Sequence, residues 1–302
     1  MTPGSTTEGA VEQYRPVLTS AGLSPTHAVT AVDEFGHERD VHIAGEAPLT
    51  LKVDDREIVT LMTLGTRPEA LALGYLRNQR LIEDLSLIRS VTVDWDQETV
   101  QITTTSGDGI EDVDEKLAQR TVTSGCGQGT VFSCTVDNIY ATRLPEVTVK
   151  QSTIYGLLRT LSAFNDIYKR AGAVHGCAIT RDEQIVDFVE DVGRHNAADA
   201  LAGERWLNQI DGADKWFYTT GRLTSEMVMK AAFMGIPVLL SRSGITQMGL
   251  ELAQVVGMVM IARAKGRHFL VYNGNSQIVY DAIPDAPRAA TPKAATPRAT
   301  TP

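Results

Sequence analysis

Helix-like and strand-like patterns alternate along the chain from residue 151 onward, and this alternation constrains the fold more than any other feature of the sequence. The predicted helices carry apolar side chains on one face, and short strand patterns separate them. Strands separated by helices of about a dozen residues form a sheet with helices on both faces. The predicted strands are 174–180, 184–189, 215–219, 236–240, 257–262, 268–273 and 277–281, and the predicted helices are 152–171, 194–208, 225–234 and 246–256. The pattern therefore predicts a three-layer α/β domain.

The N-terminal half is mostly strand, with one helix inserted. Thr66 to Glu69 fits a capping box, in which Thr66 caps the helix and Glu69 reaches back to the backbone. Alternating or β-branched patterns predict strands at 28–33, 39–44, 48–53, 57–63, 89–95 and 99–105. The predicted fold class is therefore α/β, with an α+β N-terminal lobe and a three-layer α/β C-terminal domain.

Four segments are predicted along the chain. Residues 1–24 are rich in Thr, Gly, Ser and Pro and are expected to be a flexible N terminus. A mixed α+β domain covers 25–146 and includes a cysteine loop at 121–134. The α/β domain covers 147–283. Regularly spaced prolines predict that 284–302 is a disordered Ala/Thr/Pro tail.

The composition excludes several classes of protein. The 302 residues include only three cysteines and carry a net charge of −9. Three cysteines cannot staple a chain of this length, and no secretory leader is recognisable, so a cytoplasmic protein is expected. No run approaches the roughly 18 consecutive apolar residues that a membrane helix needs. Nucleic acids and anionic membranes bind to basic protein surfaces, and the acidic charge of this chain argues against such a surface. Neither is therefore expected as a partner.

Cys126 is a candidate nucleophile. A short charged helix is predicted at 111–119, and the stretch after it places three glycines within five residues around Cys126. Glycines let the backbone open around the sulfur, and an exposed thiolate is the reactive form of cysteine. The alternative is an incidental loop cysteine. Cys134 is a weaker candidate, and Cys177 lies in a strand pattern where a thiol is most often part of the core.

Three polar clusters lie where a predicted strand ends and a helix begins, which is where open α/β sheets bind ligands. They cover 190–199, 219–226 and 241–246. Gly193 permits a close approach of the backbone, and Arg194 can fork onto a phosphate. The alternative for 190–199 is a helix cap with a solvated charge cluster. Repeated junctions of this kind favour a phosphate-containing ligand.

A fourth cluster, Arg263 to His268, gathers four cationic or ionisable groups in six residues. It is either a hairpin turn or the local basic patch that an anionic ligand requires. No Walker loop, dinucleotide-binding glycine motif or serine-hydrolase motif is present. The ligand patterns of structural and deaminase zinc sites are also missing, so no metal site is predicted.

Taken together, these residues resemble the FdhD family of formate dehydrogenase accessory sulfurtransferases. The resemblance runs from about Glu46 to Tyr272. It is densest in the string Glu-Asp-Val-Gly-Arg-His-Asn-Ala that begins at Glu190, and in 173–175, 221–222, 225–228, 230–232 and 235–238.

The resemblance implies a sulfur carrier that takes sulfur from a cysteine desulfurase as a persulfide on Cys126. It passes the sulfur to the molybdenum bis-guanine-dinucleotide cofactor, bound as a substrate, before the cofactor enters formate dehydrogenase. It also implies a cytidine-deaminase-like C-terminal domain without zinc, and a homodimer. The implied cofactor-binding residues, with those of the polar clusters, are Arg263, Ala264, Lys265, Gly266, Arg267, His268, His175, Asp191, Gly193, Arg194, His195, Asn196, Gly221, Arg222 and Ser225.

The sequence departs from the family pattern in the cysteine loop. The second loop cysteine of the family corresponds to Gly129, so either Cys126 is sufficient or Cys134 has a resolving role. Two other functions stay open: a non-catalytic chaperone that binds and delivers the cofactor, and a nucleotide deaminase that would need zinc. The sequence does not identify the molybdenum enzyme that is served.

Overall fold

The computed structural model describes residues 14–110 and 139–284, together with the strands Arg120–Val122 and Thr130–Phe132. The predicted helix at 111–119, Cys126 and Cys134 lie outside the described residues, as does the predicted tail from 285 onward. Within the described part, no helix combines the length and apolar character that crossing a membrane requires.

The N-terminal half forms one five-stranded sheet and one separate hairpin, as its strand patterns predict. Alternate residues of the sheet strands are buried, because successive side chains of a strand point to opposite faces. The sheet has the order β1-β6-β7-β4-β5, and β2 pairs with β3. The strands are β1 Val17–Leu18, β2 Thr26–Val32, β3 Glu38–Ala44, β4 Ala47–Val53, β5 Arg56–Thr63, β6 Ile88–Asp94 and β7 Thr99–Thr104.

Helix α1, Pro68–Asn78, begins without the predicted capping box. Arg67 occupies the N-cap position, and no side chain caps the helix. Glu69 instead accepts hydrogen bonds from Thr19 Oγ1 at 2.7 Å and from the Ala21 amide at 2.8 Å. The prediction was wrong because the carboxylate holds the preceding segment of chain in place of its own helix end.

Part of the segment expected to be flexible is packed onto this lobe. Tyr14 Oη donates to the carbonyl of Ile88 at 2.5 Å. Strand β1 pairs in parallel with β6, through Val17 and Leu18. These contacts order residues 14–24, although their polar composition suggested mobility, because the sheet edge and Glu69 satisfy their backbone groups.

The C-terminal half forms a six-stranded sheet of order β12-β11-β13-β14-β15-β16. Strands β13, β14 and β15 run parallel, and the outer neighbours run antiparallel to them. Two shorter pairs complete the strands: β8 with β9, and β10 with β17. The strands are β8 Arg120–Val122, β9 Thr130–Phe132, β10 Val149–Lys150, β11 His175–Arg181, β12 Gln184–Asp191, β13 Trp216–Thr219, β14 Val238–Ser241, β15 Val259–Lys265, β16 His268–Asn273 and β17 Ile278–Val279.

Helices cover both faces of this sheet. One face buries Cys177, Phe217 and Leu239 against α4, α5 and α6, and the other buries Ala178 and Tyr218 against α2. The helices are α2 Gln151–Phe164, α3 Asp166–Ala171, α4 Arg194–Leu207, α5 Ser225–Phe233 and α6 Gln247–Val256, with short 3₁₀ turns at Leu85–Leu87 and Asn275–Gln277. The α/β fold class and the three-layer arrangement are thereby confirmed.

The single helix predicted from Ser152 to Gly172 is broken at Asn165. The side-chain Nδ2 of Asn165 donates to the carbonyl of Leu161, and the carboxylate of Glu190 accepts hydrogen bonds from the backbone amides of Ile167 and Tyr168. An acceptor supplied by β12 therefore starts a second helix, α3, which the helical spacing alone could not show.

The two lobes share one hydrophobic core, because α1 crosses α4 at very close range. A Cβ atom on Gly74 would lie 1.7 Å from the Asp199 carbonyl oxygen, and one on Gly203 would lie 1.9 Å from that of Ala70. Only glycine allows this approach of the two backbones. The contact fixes the first lobe against the helix that follows β12.

Candidate functional site

The predicted site residues of the C-terminal half meet at one edge of the six-stranded sheet. Thr219 of β13 is opposite both Ser241 of β14 and Cys177 of β11, and His175 is opposite Asp191 at the end of β12. The carboxyl ends of β12, β13 and β14 therefore lie beside the start of β11. Helices α4, α5 and α6 each begin just after one of these ends, so their positive dipole ends face the same edge.

Hydrogen bonds tie the loops of this edge together. Ser241 Oγ donates to the carbonyl of Gly221 at 2.6 Å, and the Leu223 amide donates to the carbonyl of Gly244 at 2.9 Å. The Arg263 amide donates to the carbonyl of Ser243 at 2.9 Å. The edge is thus a continuous surface made by the two loops that follow β13 and β14 and by the irregular end of β15.

A cleft of about 350 Å³ opens at this edge beside His175, and Thr220, Arg242 and Ser243 contribute to its lining. His175 Nδ1 lies 3.3 Å from Thr220 Oγ1. Burial lowers the pKa of His175, and the positive charges of Arg194 and Arg222 lower it further. The electrostatic environment of the cleft is therefore positive, and it suits an anionic ligand although the whole chain is acidic.

The predicted ligand residues Asp191 and Asn196 are turned into the protein. Asp191 is buried and accepts hydrogen bonds from Thr63 Oγ1 at 2.5 Å, from the Leu64 and Gly193 amides and from Asn196 Nδ2. Burial raises the pKa of Asp191, and these donors oppose the rise. Both side chains fasten the end of β5 to the start of α4, because Asn196 also donates to the carbonyl of Met62 at 2.7 Å.

Behind the edge lies a buried ionic layer between α4 and α5. His195 Nε2 lies 3.2 Å from Glu226 Oε2, and Lys230 Nζ lies 2.6 Å from both carboxylate oxygens of Asp199. Asn78 of α1 donates to Asp199 at 2.7 Å. Burial, with Lys230 and Arg194 nearby, lowers the pKa of His195 to about 2, so its ring is neutral.

Sequence reasoning singled out His195 but missed the pairing of Asp199 with Lys230. A carboxylate in an alanine-rich helix face and a lysine in an apolar one were the available signals. Long polar side chains at such positions are buried only when they are paired. Glu226, Lys230 and Asp199 support the edge from behind.

The cluster Arg263 to His268 is the β15–β16 turn, and its members do not all face one way. Arg222 and Arg263 are exposed at the edge, whereas the side chain of Ala264 is fully buried in the core between the sheet and α2. Arg267 lies over the ring of Tyr155, 5.1 Å from its centroid, and donates to the carbonyl of Ile283. Gly266 takes a positive φ of 61°, which the tight turn between Lys265 and His268 requires.

Cys177 is the one cysteine among the described residues, and it is unsuited to nucleophilic chemistry. Its side chain is fully buried, and its thiol donates to Thr219 Oγ1 at 3.2 Å. Burial raises the pKa of the thiol to about 12, so the thiolate is not formed near neutral pH. The predicted core position of Cys177 is confirmed. The described residues also contain no cluster of three His, Cys, Asp or Glu side chains that could hold a metal ion.

Comparison with known proteins agrees with this architecture. The model of the FdhD/NarQ family matches residues 44–279. The chain belongs to the FdhD/NarQ family. The matched range includes both lobes, the polar edge and the position of Cys126, so the resemblance drawn from the sequence is confirmed.

Curated relatives in the FdhD/NarQ family are similar over most of their length. One from Geobacillus kaustophilus, named Sulfur carrier protein FdhD, is 31% identical over 243 residues, which are 80% of this chain and 92% of that protein. A protein of the same name from Bacillus subtilis is 27% identical over 234 residues, 77% of this chain and 88% of the other. A crystal structure described as a formate dehydrogenase accessory protein from Desulfotalea psychrophila matches with a TM-score of 0.66 and 26% identity, over 84% of this chain and 98% of the other.

Proposed function

We propose that this protein is a sulfur carrier that serves the maturation of formate dehydrogenase. Family membership supports this function, since the similar curated proteins are named sulfur carriers and the similar crystal structure is described as a formate dehydrogenase accessory protein. The observation that carries the proposal in this chain is the positive cleft at the sheet edge. Arg242 lines this cleft, and the charges of Arg194 and Arg222 act on His175 there, so an acidic protein has a local place for an anionic cargo.

The proposed carrier atom is the sulfur of Cys126. Its thiolate attacks the outer sulfur of a persulfide on a cysteine desulfurase, a new S–S bond forms to Cys126, and the thiolate of the desulfurase leaves. The acceptor then attacks the outer sulfur with an electron pair, the S–S bond breaks, and the electrons of that bond leave with Cys126 as a thiolate. One cysteine is sufficient for this sequence of steps. Cys177 cannot replace it because its thiol is buried and protonated.

The proposed acceptor is the molybdenum bis-guanine-dinucleotide cofactor, held as a substrate at the sheet edge. Its phosphates carry the negative charge that the arginines and the three helix N-termini attract. Glu190 and Asp191 are already engaged with backbone amides, so they position the loops and leave the cationic groups for the ligand. Of the other predicted ligand residues, the exposed Arg263 and Lys265 belong to the same proposal.

Sulfur transfer and cargo binding can be tested separately. Cys126→Ala abolishes sulfur transfer from a desulfurase and prevents formation of active formate dehydrogenase, but it leaves binding of GDP as a probe unchanged. Arg222→Ala and Lys265→Ala each weaken GDP binding about tenfold or more, because each removes a charge-assisted contact to phosphate. Arg39→Ala is the matched control, since Arg39 pairs with Asp33 on the β2–β3 hairpin. Equal GDP affinity in all of these variants would remove the edge from the proposal.

A cofactor-binding chaperone without sulfur chemistry is the second candidate. Two features of the described residues favour this chaperone. The sheet edge consists of groups that bind a ligand, and the one described cysteine, Cys177, is inert. A chaperone would support maturation of formate dehydrogenase after Cys126→Ala, whereas a sulfur carrier would not.

The same proposal includes a homodimer located in the cytoplasm, with a cysteine desulfurase and formate dehydrogenase as partners. Sedimentation equilibrium of the full chain measures its oligomeric state directly. A mass of one chain over the micromolar range would contradict the dimer.

A further inference from the structure

A second cleft lies at the end of α4 opposite to the sheet edge. Its volume is about 490 Å³, and the last turns of α1 and α4 form much of its wall. Helix α4 has 14 residues, so about 20 Å separates the two ends of this helix. No residue of the sequence-predicted site lines this cleft.

Two guanidinium groups face this cleft, and neither forms an ion pair with a described residue. Arg77 lies over the ring of Trp206, 4.8 Å from its centroid, and forms no ion pair with any described residue. Arg205 Nε is buried and has no hydrogen-bond partner among the described residues. Burial lowers the pKa of each arginine, and the charge of Arg77 lowers the pKa of Arg205 further, whereas Glu83 and Asp211 oppose the two shifts in part. Two like charges are thus partly desolvated side by side, an arrangement that costs free energy unless an anion joins them.

The carboxylates of the cleft meet this need only in part: Glu83 and Asp211 act on the arginines through space, but none of the cleft carboxylates lies within ion-pair distance of Arg77 or Arg205. Glu83 pairs with Arg80 at 2.7 Å, and Asp84 accepts the Ser86 amide at 2.9 Å. Asp211 accepts a long contact of 3.4 Å from the Ala213 amide. Arg205 Nε is thus a donor that no carboxylate of the cleft satisfies. Negative charge on the rim disfavours a large polyanion and leaves room for a compact one.

We propose that Arg77 and Arg205 bind a compact oxyanion, a phosphate group or a carboxylate, in this cleft. The planar guanidinium matches two oxygen atoms of either group. The site lies apart from the proposed sulfur-transfer site and does not depend on that function.

The proposal is tested on the full chain labelled with ¹⁵N in its arginines, by titration with inorganic phosphate and, separately, with acetate. The resonance of the Arg205 Nε–H group is expected to shift with at least one of the two probes below about 50 mM. A response to phosphate alone identifies a phosphate site, and a response to acetate alone identifies a carboxylate site. The absence of a shift with both probes overturns the proposal.

Variants separate this cleft from the sheet edge. With the responding probe, Arg205→Ala and Arg77→Ala each weaken the binding seen at the other arginine about tenfold or more, while Arg222→Ala leaves it unchanged. Arg205→Lys keeps the positive charge but removes the planar guanidinium, so it also weakens binding. It serves as a control in case the alanine variant fails to fold. Binding that survives Arg205→Lys at full strength, or that is lost in Arg222→Ala, overturns the assignment. Sulfur transfer is expected to be unchanged in the Arg205 variants.

Discussion

Replacing Lys230 by Met tests the buried ionic layer that joins the lobes. Lys230 Nζ lies 2.6 Å from both oxygens of Asp199, and their side chains are only 8% and 3% exposed. Removing the lysine leaves a buried carboxylate with only the neutral donor Asn78. Breaking one partner of such a pair costs about 3–5 kcal/mol of the free energy of unfolding. The whole free energy of unfolding of a typical domain is about 5–15 kcal/mol, so this loss is a large fraction of it.

Urea unfolding followed by circular dichroism measures this loss. Lys169→Met is the matched control, because Lys169 pairs with Asp166 at the surface at 3.6 Å and its loss costs less than about 1 kcal/mol. The double variant Lys230→Met/Asp199→Asn removes both charges and recovers most of the stability, since no buried charge is left unpaired. The reasoning is refuted if Lys230→Met costs no more than the control, or if the double variant costs the sum of its two single changes.

Three further predictions concern the core. Gly203→Ala destabilises the protein by about 1–3 kcal/mol or more, because its methyl group overlaps the backbone of α1. Gly244→Ala changes stability little, because its methyl group would meet only the Arg263 guanidinium, at 4.0 Å; equal effects of the two changes would contradict the close crossing. Because the pKa of His195 is lowered to about 2, the unfolded chain binds a proton that the folded chain does not bind. The free energy of unfolding therefore falls as the pH drops below about 6.5. His195→Gln reduces that slope by about 1.4 kcal/mol per pH unit, which urea titrations at several pH values measure. In a chain whose other two cysteines are replaced by alanine, Cys177 reacts with a disulfide reagent only after unfolding, and rapid native labelling at pH 8 would contradict its burial.

The regular elements could be predicted because their patterns are local. Alternating burial in β4 and the apolar face of α2 each follow from the spacing of side chains within one segment. The exceptions depend on partners distant in sequence. The break at Asn165 needs Glu190, and the failed capping box at Glu69 reflects hydrogen bonds from residues about fifty positions earlier.

The meeting of the polar junctions at one edge was also predictable, because the carboxyl ends of parallel strands lie together. The direction of each side chain was not. Asp191 is a plausible ligand by its position, yet the structure uses all its capacity to hold Thr63, Leu64 and Asn196. The pair of Asp199 with Lys230 needs the packing of two helices, and sequence spacing does not report that packing.

The central claim is that Cys126 carries the sulfur. The most direct measurement is peptide mass spectrometry of the full chain after incubation with a cysteine desulfurase and cysteine, under conditions that preserve persulfides. The account predicts a gain of about 32 Da, one sulfur atom on a thiolate, on the peptide that contains Cys126. Added sulfur found only on the peptide of Cys134 or Cys177, or on none, would contradict it.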